Sequence, residues 1–325
     1  MATYKEIHGI NVQYRDSDAT AIEGDVWYNA STGLLKMYSA LGSWASGGNL
    51  NASRDHSVGG AGTLTAGVVF GGRDPDPTAN VEEYDGSSWT EVTDMPTATG
   101  NNTGIGTQTA ALSCGGGGDT NGTFEYDGTN SADGGDLPSP AAGINGAGLG
   151  TQTAAIRAIG GPSASVVAVS YDGSSWTEIA DVVTARRKGG GAGTTTAGLI
   201  FGGRQGGGPL SNVEEFDGSS WTEVNNMNTI RDSVNGQGIQ TDAMCVTGQG
   251  GPGNVYIGNT ETYDGTSWTE VADVATARGF HGQSCGTTST ASGWIAGGAA
   301  GGTPPYTNVT EEWTMAASVE TVAFD

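Results

Sequence analysis

The chain of 325 residues carries 58 glycines, only 14% charged and 7% aromatic residues, and 35 acidic against 12 basic side chains, for a formal charge of −23. Glycine without a three-residue period excludes collagen, and the shortage of bulky side chains excludes a core built from them, which leaves tight strands and turns of small residues. Such an acidic surface repels a phosphate backbone and an anionic membrane, so neither nucleic acid binding nor membrane insertion is expected, and no apolar run approaches the length of a membrane span.

The opening segment, "MATYKEIHGINVQYRDSD", has no apolar h-region, so no secretory signal is expected and synthesis is expected in the cytoplasm. Tyr4, Ile7, Ile10 and Tyr14 are apolar among polar neighbours, the pattern of an arm that docks onto another protein. Residues 1–33 read as this arm with a hairpin, and residues 34–325 as one repeat domain. "YSALGSWASGG" then reads as a strand without a partner of its own, centred on Trp44.

Two phrases alternate from there on. The first is a threonine-rich turn, a short apolar strand and a glycine pair, as in "GTLTAGVVFGG" ending at Gly72 and "GTTTAGLIFGG" ending at Gly203. Related copies end at Gly116, Gly161, Gly248 and Gly298, so successive copies lie 44, 45, 42, 45 and 50 residues apart. The second phrase, "YDGSSWTEV", holds Tyr84 and Trp89 and returns with Tyr171 and Trp176, Phe216 and Trp221, and Tyr263 and Trp268. Its Asp-Gly pair tolerates the positive φ of a tight turn, so it reads as a third strand, a turn and a fourth strand. Four short strands in each unit, with no helical period, predict an all-β, six-bladed β-propeller. The last unit places Trp313 where the others have tyrosine and lacks a fourth strand, which the early strand at Trp44 is expected to supply; a seven-bladed ring is the alternative.

The glycine pair, the tyrosine of the third strand, the tryptophan of the fourth, and an arginine opening the next unit (Arg54, Arg186, Arg231, Arg278) resemble the kelch repeat family. The second unit departs from that pattern, with no tryptophan after Tyr126, and the fifth has Thr247 in place of the first glycine. The resemblance implies a propeller but no particular function. "EGDVWYNASTGLLKMYSALGSW" is similar to a hairpin module near the start of tail-fibre and appendage proteins of tailed bacteriophages, and the "YDGSSWTE" runs resemble those of marine phage virion proteins. This implies a structural virion protein in several copies, with other virion proteins as partners and a host-surface glycan or protein as a further contact.

Chemistry-bearing constellations are few. "SYDGSSWTE" from Ser170 is similar to the sialidase Asp-box but lacks one residue of it, and a structural turn is the better reading. The repeated Glu91, Glu178, Glu223 and Glu270 are expected to face solvent. Kelch-like copper oxidases need two histidines and two tyrosines on the metal, whereas this chain has only His8, His56 and His281. His56 and His281 open comparable strands and could approach each other, but nothing completes a ligand set. The aspartates of "RDPDP" and "RDSD" lack the EF-hand spacing. Cys114, Cys245 and Cys285 show no paired spacing and suit buried apolar positions. The glycine runs at 115–118 and 206–208 precede neither a helix nor a lysine, so they are not phosphate loops. No enzyme, metal or cofactor is expected; a glycan-acting or oxidising enzyme on the same fold is the alternative. The variable loops after each second strand, carrying Tyr256 and Tyr306, are the expected contact surface.

Overall fold

A computed structural model describes residues 13–18, 25–55, 59–117, 121–138, 146–161, 163–251, 253, 255–283, 290–301 and 306–321. Among them there is no helix. The chain is all-β and consists chiefly of small antiparallel sheets of four strands, an arrangement compatible with a propeller. It divides into two compact units, Trp44–Trp313 and a smaller one formed by Met1–Ser43 with Thr314–Asp325. The division falls at 43/44, later than the expected boundary at 33/34, because the strand Leu34–Ser46 runs on through it.

In the larger unit, sheet one orders Gly59–Thr63, Ala66–Phe70, Val81–Tyr84 and Trp89–Glu91. Sheet two repeats this with Thr103–Thr107, Ala110–Cys114, Thr123–Tyr126 and Ser131–Asp133, and sheet three with Ala147–Thr151, Ala154–Ala158, Ala168–Tyr171 and Trp176–Glu178. Sheet four comprises Gly190–Thr194, Ala197–Phe201, Val213–Phe216 and Trp221–Val224. Sheet five comprises Asn235–Ile239, Asp242–Gly250, Val255–Tyr263 and Trp268–Val271. In sheet six, Gly282–Gln283 and Ser292–Ala296 are followed by Thr310–Thr321, whose outer neighbour is Leu34–Ser46. In the smaller unit, Val26–Asn29 pairs with Leu34–Ser46, and Gln13–Arg15 runs parallel to Val26–Asn29.

The recurring "YDGSSW" phrase is the hairpin between third and fourth strands. Tyr84 pairs across the strands with Trp89 and stacks on it at 4.8 Å, as do Tyr171 on Trp176 at 4.9 Å and Phe216 on Trp221 at 4.8 Å. The glycine takes the positive φ, +91° at Gly86, but the aspartate does not. Asp85 instead accepts the amides of Ser87 and Ser88 on Oδ1, each at 2.8 Å, and this hydrogen bonding lowers its pKa to about 2. Asp127, Asp172, Asp217 and Asp264 do the same in later units. Aspartate is therefore required as a cap, not for its backbone freedom.

The core is divided among the sheets. Val68, Phe70 and Val81 of sheet one pack on Ala111, Phe124 and Tyr126 of sheet two, and comparable clusters join sheets two to three, three to four and four to five. Glycine brings the innermost strands together. A Cβ on Gly104 would lie 2.5 Å from the backbone N and O of Gly60, and one on Gly236 would lie 2.5 Å from Gly191 O. Only backbone fits there.

The first residue after each second strand adopts a left-handed conformation, with φ of +62° at Gly71, +63° at Gly202 and +66° at Gly297. Ile159, at that position, and Thr247, at the irregularity inside Asp242–Gly250, hold the same conformation, each at +56°, where a β-branched side chain is strained. Thr247 is also buried with its hydroxyl unpartnered. Thr247→Gly is expected to stabilise the fold by about 1 kcal/mol in urea denaturation, the relief of strain and desolvation exceeding the entropy cost of glycine. Gly104→Ala is expected to destabilise it by about 3 kcal/mol in the same assay, because the new methyl meets backbone that cannot yield.

Candidate functional site

The arginines that open units one, four, five and six are fully buried, and each pairs with a buried glutamate of its own third strand: Arg54 with Glu82, Arg186 with Glu214 at 3.1 Å, Arg231 with Glu261, and Arg278 with Glu311. Arg231 also donates from Nη1 to the carbonyls of Thr247 and Asn259, and Arg278 to those of Gly297 and Val309, which are the two ends of the loop between second and third strands. Each glutamate in turn accepts backbone amides of the segment entering its sheet, such as Asn228 and Thr229 on Glu261 and Ala275 and Thr276 on Glu311. Burial lowers the pKa of Arg54, Arg186 and Arg278, opposed by the adjacent carboxylate. Arg54 bonds the carbonyls of Gly71 and Asn80 in the same way, so in units one, five and six the clamp holds the base of the variable loop, whereas Arg186 makes only its ion pair.

Units two and three lack both partners. Thr99 stands at the arginine position of unit two and Phe124 at the glutamate position; in unit three Val169 replaces the glutamate, and the buried guanidinium is that of Arg157, directly across from it on the second strand. A second set of bonds shows the same joint presence and absence between neighbouring sheets. Tyr126 Oη donates to Glu83 at 2.8 Å, Tyr171 to Glu125, Tyr263 to Glu215 at 3.0 Å, and Tyr84 to Glu312. Burial first and the carboxylate second push the Tyr84 and Tyr171 phenols up to about 12. Where Phe216 and Trp313 replace the tyrosine, the neighbouring position is Ser170 or Thr262, and no carboxylate is left over. The sequence reading recognised the arginines and tyrosines but missed these glutamates. The signal was the recurrence of "VEEY", "VEEF", "TETY" and "TEEW".

The candidate contact and metal residues distribute as follows. Tyr4, Ile7, Ile10, His8, His56 and Cys285 lie outside the described residues. Tyr14, in the smaller unit, is 76% exposed, with its ring 5.1 Å from that of Tyr28. The "GQGGPGNVYIGN" loop proves to be largely an extension of the strands Asp242–Gly250 and Val255–Tyr263, with Arg231–Asp232 added alongside. Tyr256 is half-buried there, packed over Gly279, and its pKa is raised by burial and by Asp55 and Asp232. Tyr306 is half-buried and bridges to Ala299. Glu91, Glu178, Glu223 and Glu270 are exposed, and three of them receive a side-chain amide, from Asn80, Asn212 and Asn259. Cys114 and Cys245 are buried thiols whose pKa burial raises.

His281 is wholly buried, with Nδ1 at 3.0 Å from Gly282 O and Nε2 at 3.3 Å from Val246 O. Burial, reinforced by Arg278, lowers its pKa to about 4. Its nitrogens face backbone carbonyls rather than open space, which counts against the metal reading. No cluster of three or more His, Cys, Asp or Glu suited to a metal occurs among the described residues.

The innermost strands enclose about 10 Å³, room for one water at most. Larger concavities open among the loops. One, of about 600 Å³, lies in unit two between Thr99, Phe124 and Asp133. Another, of about 420 Å³, brings together Arg187, Arg204 and Gln205 of unit four, with Arg204 held by Asp232 at 2.7 Å. Comparison of the chain with protein-family models finds no match, and comparison with curated proteins finds none either.

Arg231→Met is expected to destabilise the fold by about 4 kcal/mol, because it strands Glu261 as an unpaired buried charge, whereas Arg231→Thr with Glu261→Phe, the pairing native to unit two, is expected to cost less than the single change. Chemical denaturation of the two variants orders them. His281 favours its neutral form when folded, so its contribution is complete above the unfolded pKa near 6.5 and is lost as pH falls toward 4. Wild-type stability is expected to drop by roughly 3 kcal/mol over that window, and the slope to flatten in His281→Gln.

Proposed function

We propose that the larger unit is a six-bladed, kelch-like β-propeller closed between sheets six and one, and that the chain is a non-enzymatic virion protein of a tailed phage. In this reading the N-terminal arm docks onto the particle and the propeller presents its loops for assembly or host-surface contact. The observation that carries the closure is the bond from Tyr84 to Glu312, which joins sheet one to sheet six as Tyr126–Glu83 and Tyr171–Glu125 join earlier neighbours. It is supported by Trp89 Nε1 donating to Thr310 Oγ1 at 2.9 Å, by the packing of Tyr84 and Trp89 with Trp294 and Ala296, and by the bridge from Arg54 to Thr307. Trp44, lying 5.3 Å from Trp313, supplies the missing fourth-strand tryptophan from the N-terminal side of the chain.

The virion assignment rests on the resemblance of the N-terminal hairpin and of the "YDGSSWTE" runs. A scaffold role is supported by the engagement of the repeated polar side chains in clamps, caps and inter-sheet bonds. Catalysis at the centre of the propeller is opposed by the close backbone packing at Gly104 and Gly236.

Purified phage particles from the source culture are expected to contain the chain at stoichiometric copy number, measured by mass spectrometry and located by cryo-microscopy; its absence from the particles defeats the virion assignment. A truncation lacking residues 1–22 is expected to keep the propeller but fail to incorporate, and normal incorporation would remove the docking role of the arm.

A further inference from the structure

We infer that the concavity of unit two is a binding site for a neutral pyranose sugar. The inference gives the proposed surface-contact role a place and rests on that reading of the loops as a contact surface.

The site exists because unit two departs from the rule that its siblings keep. In units one, four, five and six the entering arginine and its glutamate occupy the space between the second-to-third-strand loop and the incoming segment. In unit three Arg157 places a buried guanidinium at the level of Val169. In unit two the corresponding residues are Thr99 and Phe124, and with threonine in place of the long arginine an open concavity of about 600 Å³ lies there, within the size range of small-molecule sites. The fourth strand there also lacks its tryptophan, Ser131 taking that position.

Six residues define its chemistry: Thr97, Thr99, Asn121, Phe124, Asp133 and Asp136. Thr99 is only 4% exposed and backs the concavity, its Oγ1 lying beneath the surface without a hydrogen-bond partner within the protein. Asp133 and Asp136 are exposed carboxylates that accept hydroxyl protons; Thr97 and Asn121 can both donate and accept. Phe124, 8% exposed, supplies an apolar floor. Acceptors, donors and a ring on adjoining walls match the hydroxyl edges and apolar face of a pyranose. The two carboxylates, in a chain of charge −23, disfavour uronic and sialic acids. They are also too few for a cation site of three or more such ligands.

The test uses the full chain and saturation-transfer NMR with the methyl glycosides of glucose, galactose, mannose and N-acetylglucosamine, and with methyl glucuronide as the acidic control. At least one neutral glycoside is expected to receive saturation and the glucuronide none. The signal is expected to fall at least five-fold in Asn121→Ala and in the double variant Asp133→Asn, Asp136→Asn, and to persist in Arg187→Ala at the concavity of unit four. Thr99→Arg with Phe124→Glu installs the clamp of the neighbouring units, fills the concavity, and is expected to abolish binding while the circular dichroism spectrum stays native. Transfer to no neutral glycoside, binding that survives the installed clamp, or preference for glucuronide overturns the inference. So does titration of Asp133 and Asp136 resonances by calcium alone with no sugar effect. Each of these results leaves the particle analysis untouched, so the sugar site and the virion assignment fail separately.

Discussion

A guanidinium placed inside a protein at the start of a repeat obliges the chain to bury a carboxylate beside it. Removing either partner alone leaves a charge stranded in a medium of low polarity, a larger penalty than the pair itself returns in stability. Units one, four, five and six meet this obligation with Arg54, Arg186, Arg231 and Arg278 and their glutamates. Much of the loop architecture follows. In units one, five and six the arginine ties down both ends of the second-to-third-strand segment, and in all four units the glutamate accepts amides of the incoming segment, so the backbone beneath each loop is held whatever the loop contains. Length and composition can then vary above the clamp, from the small hairpin of Arg204–Gln205 with Gly208–Pro209 to the long strand extension around Tyr256.

Glycine performs the complementary task on the inner side. At Gly104 and Gly236 the innermost strands approach so closely that an added side chain would clash. Variability is concentrated in the loops, where cavities large enough for a ligand occur. Rigidity at the centre and freedom at the loops are two results of one distribution of small and charged residues.

Much of this was legible in the sequence, though unevenly. The period of the glycine pairs, the cross-strand Tyr–Trp and Phe–Trp pairs, and the strand at Trp44 beside Trp313 were visible because each depends on local patterning that repeats. The glutamates were not, since "EE" before a tyrosine looks like an exposed strand face until it is known that Glu82 turns inward to Arg54 while Glu83 turns toward Tyr126. Alternation along a strand assigns the two residues to opposite faces but cannot reveal that both faces are covered. The long loop near Tyr256 misled for a related reason: Gly, Asn and Pro read as turn, yet pairing with Gln249 and Gly248 extends the sheet through them. The second unit was recognised as aberrant by its missing tryptophan. The open space left by Thr99 and Phe124 was beyond reach, because it depends on which other side chains fail to fill it.

The joint retention and loss of tyrosine and glutamate between neighbouring sheets has a consequence for the history of the gene. Near-identical repeats invite unequal recombination, which deletes or duplicates whole copies. Here such an event can bring mismatched neighbours together: deleting unit four would set the phenol of Tyr263 against Ser170 in place of Glu215. The junctions that flank unit four thus prefer their own neighbours, whereas deleting unit two would set Tyr171 against Glu83 and keep an equivalent pair. A repeat array of this kind can diversify its loops freely while the polar contacts between its sheets restrict which copies can be lost.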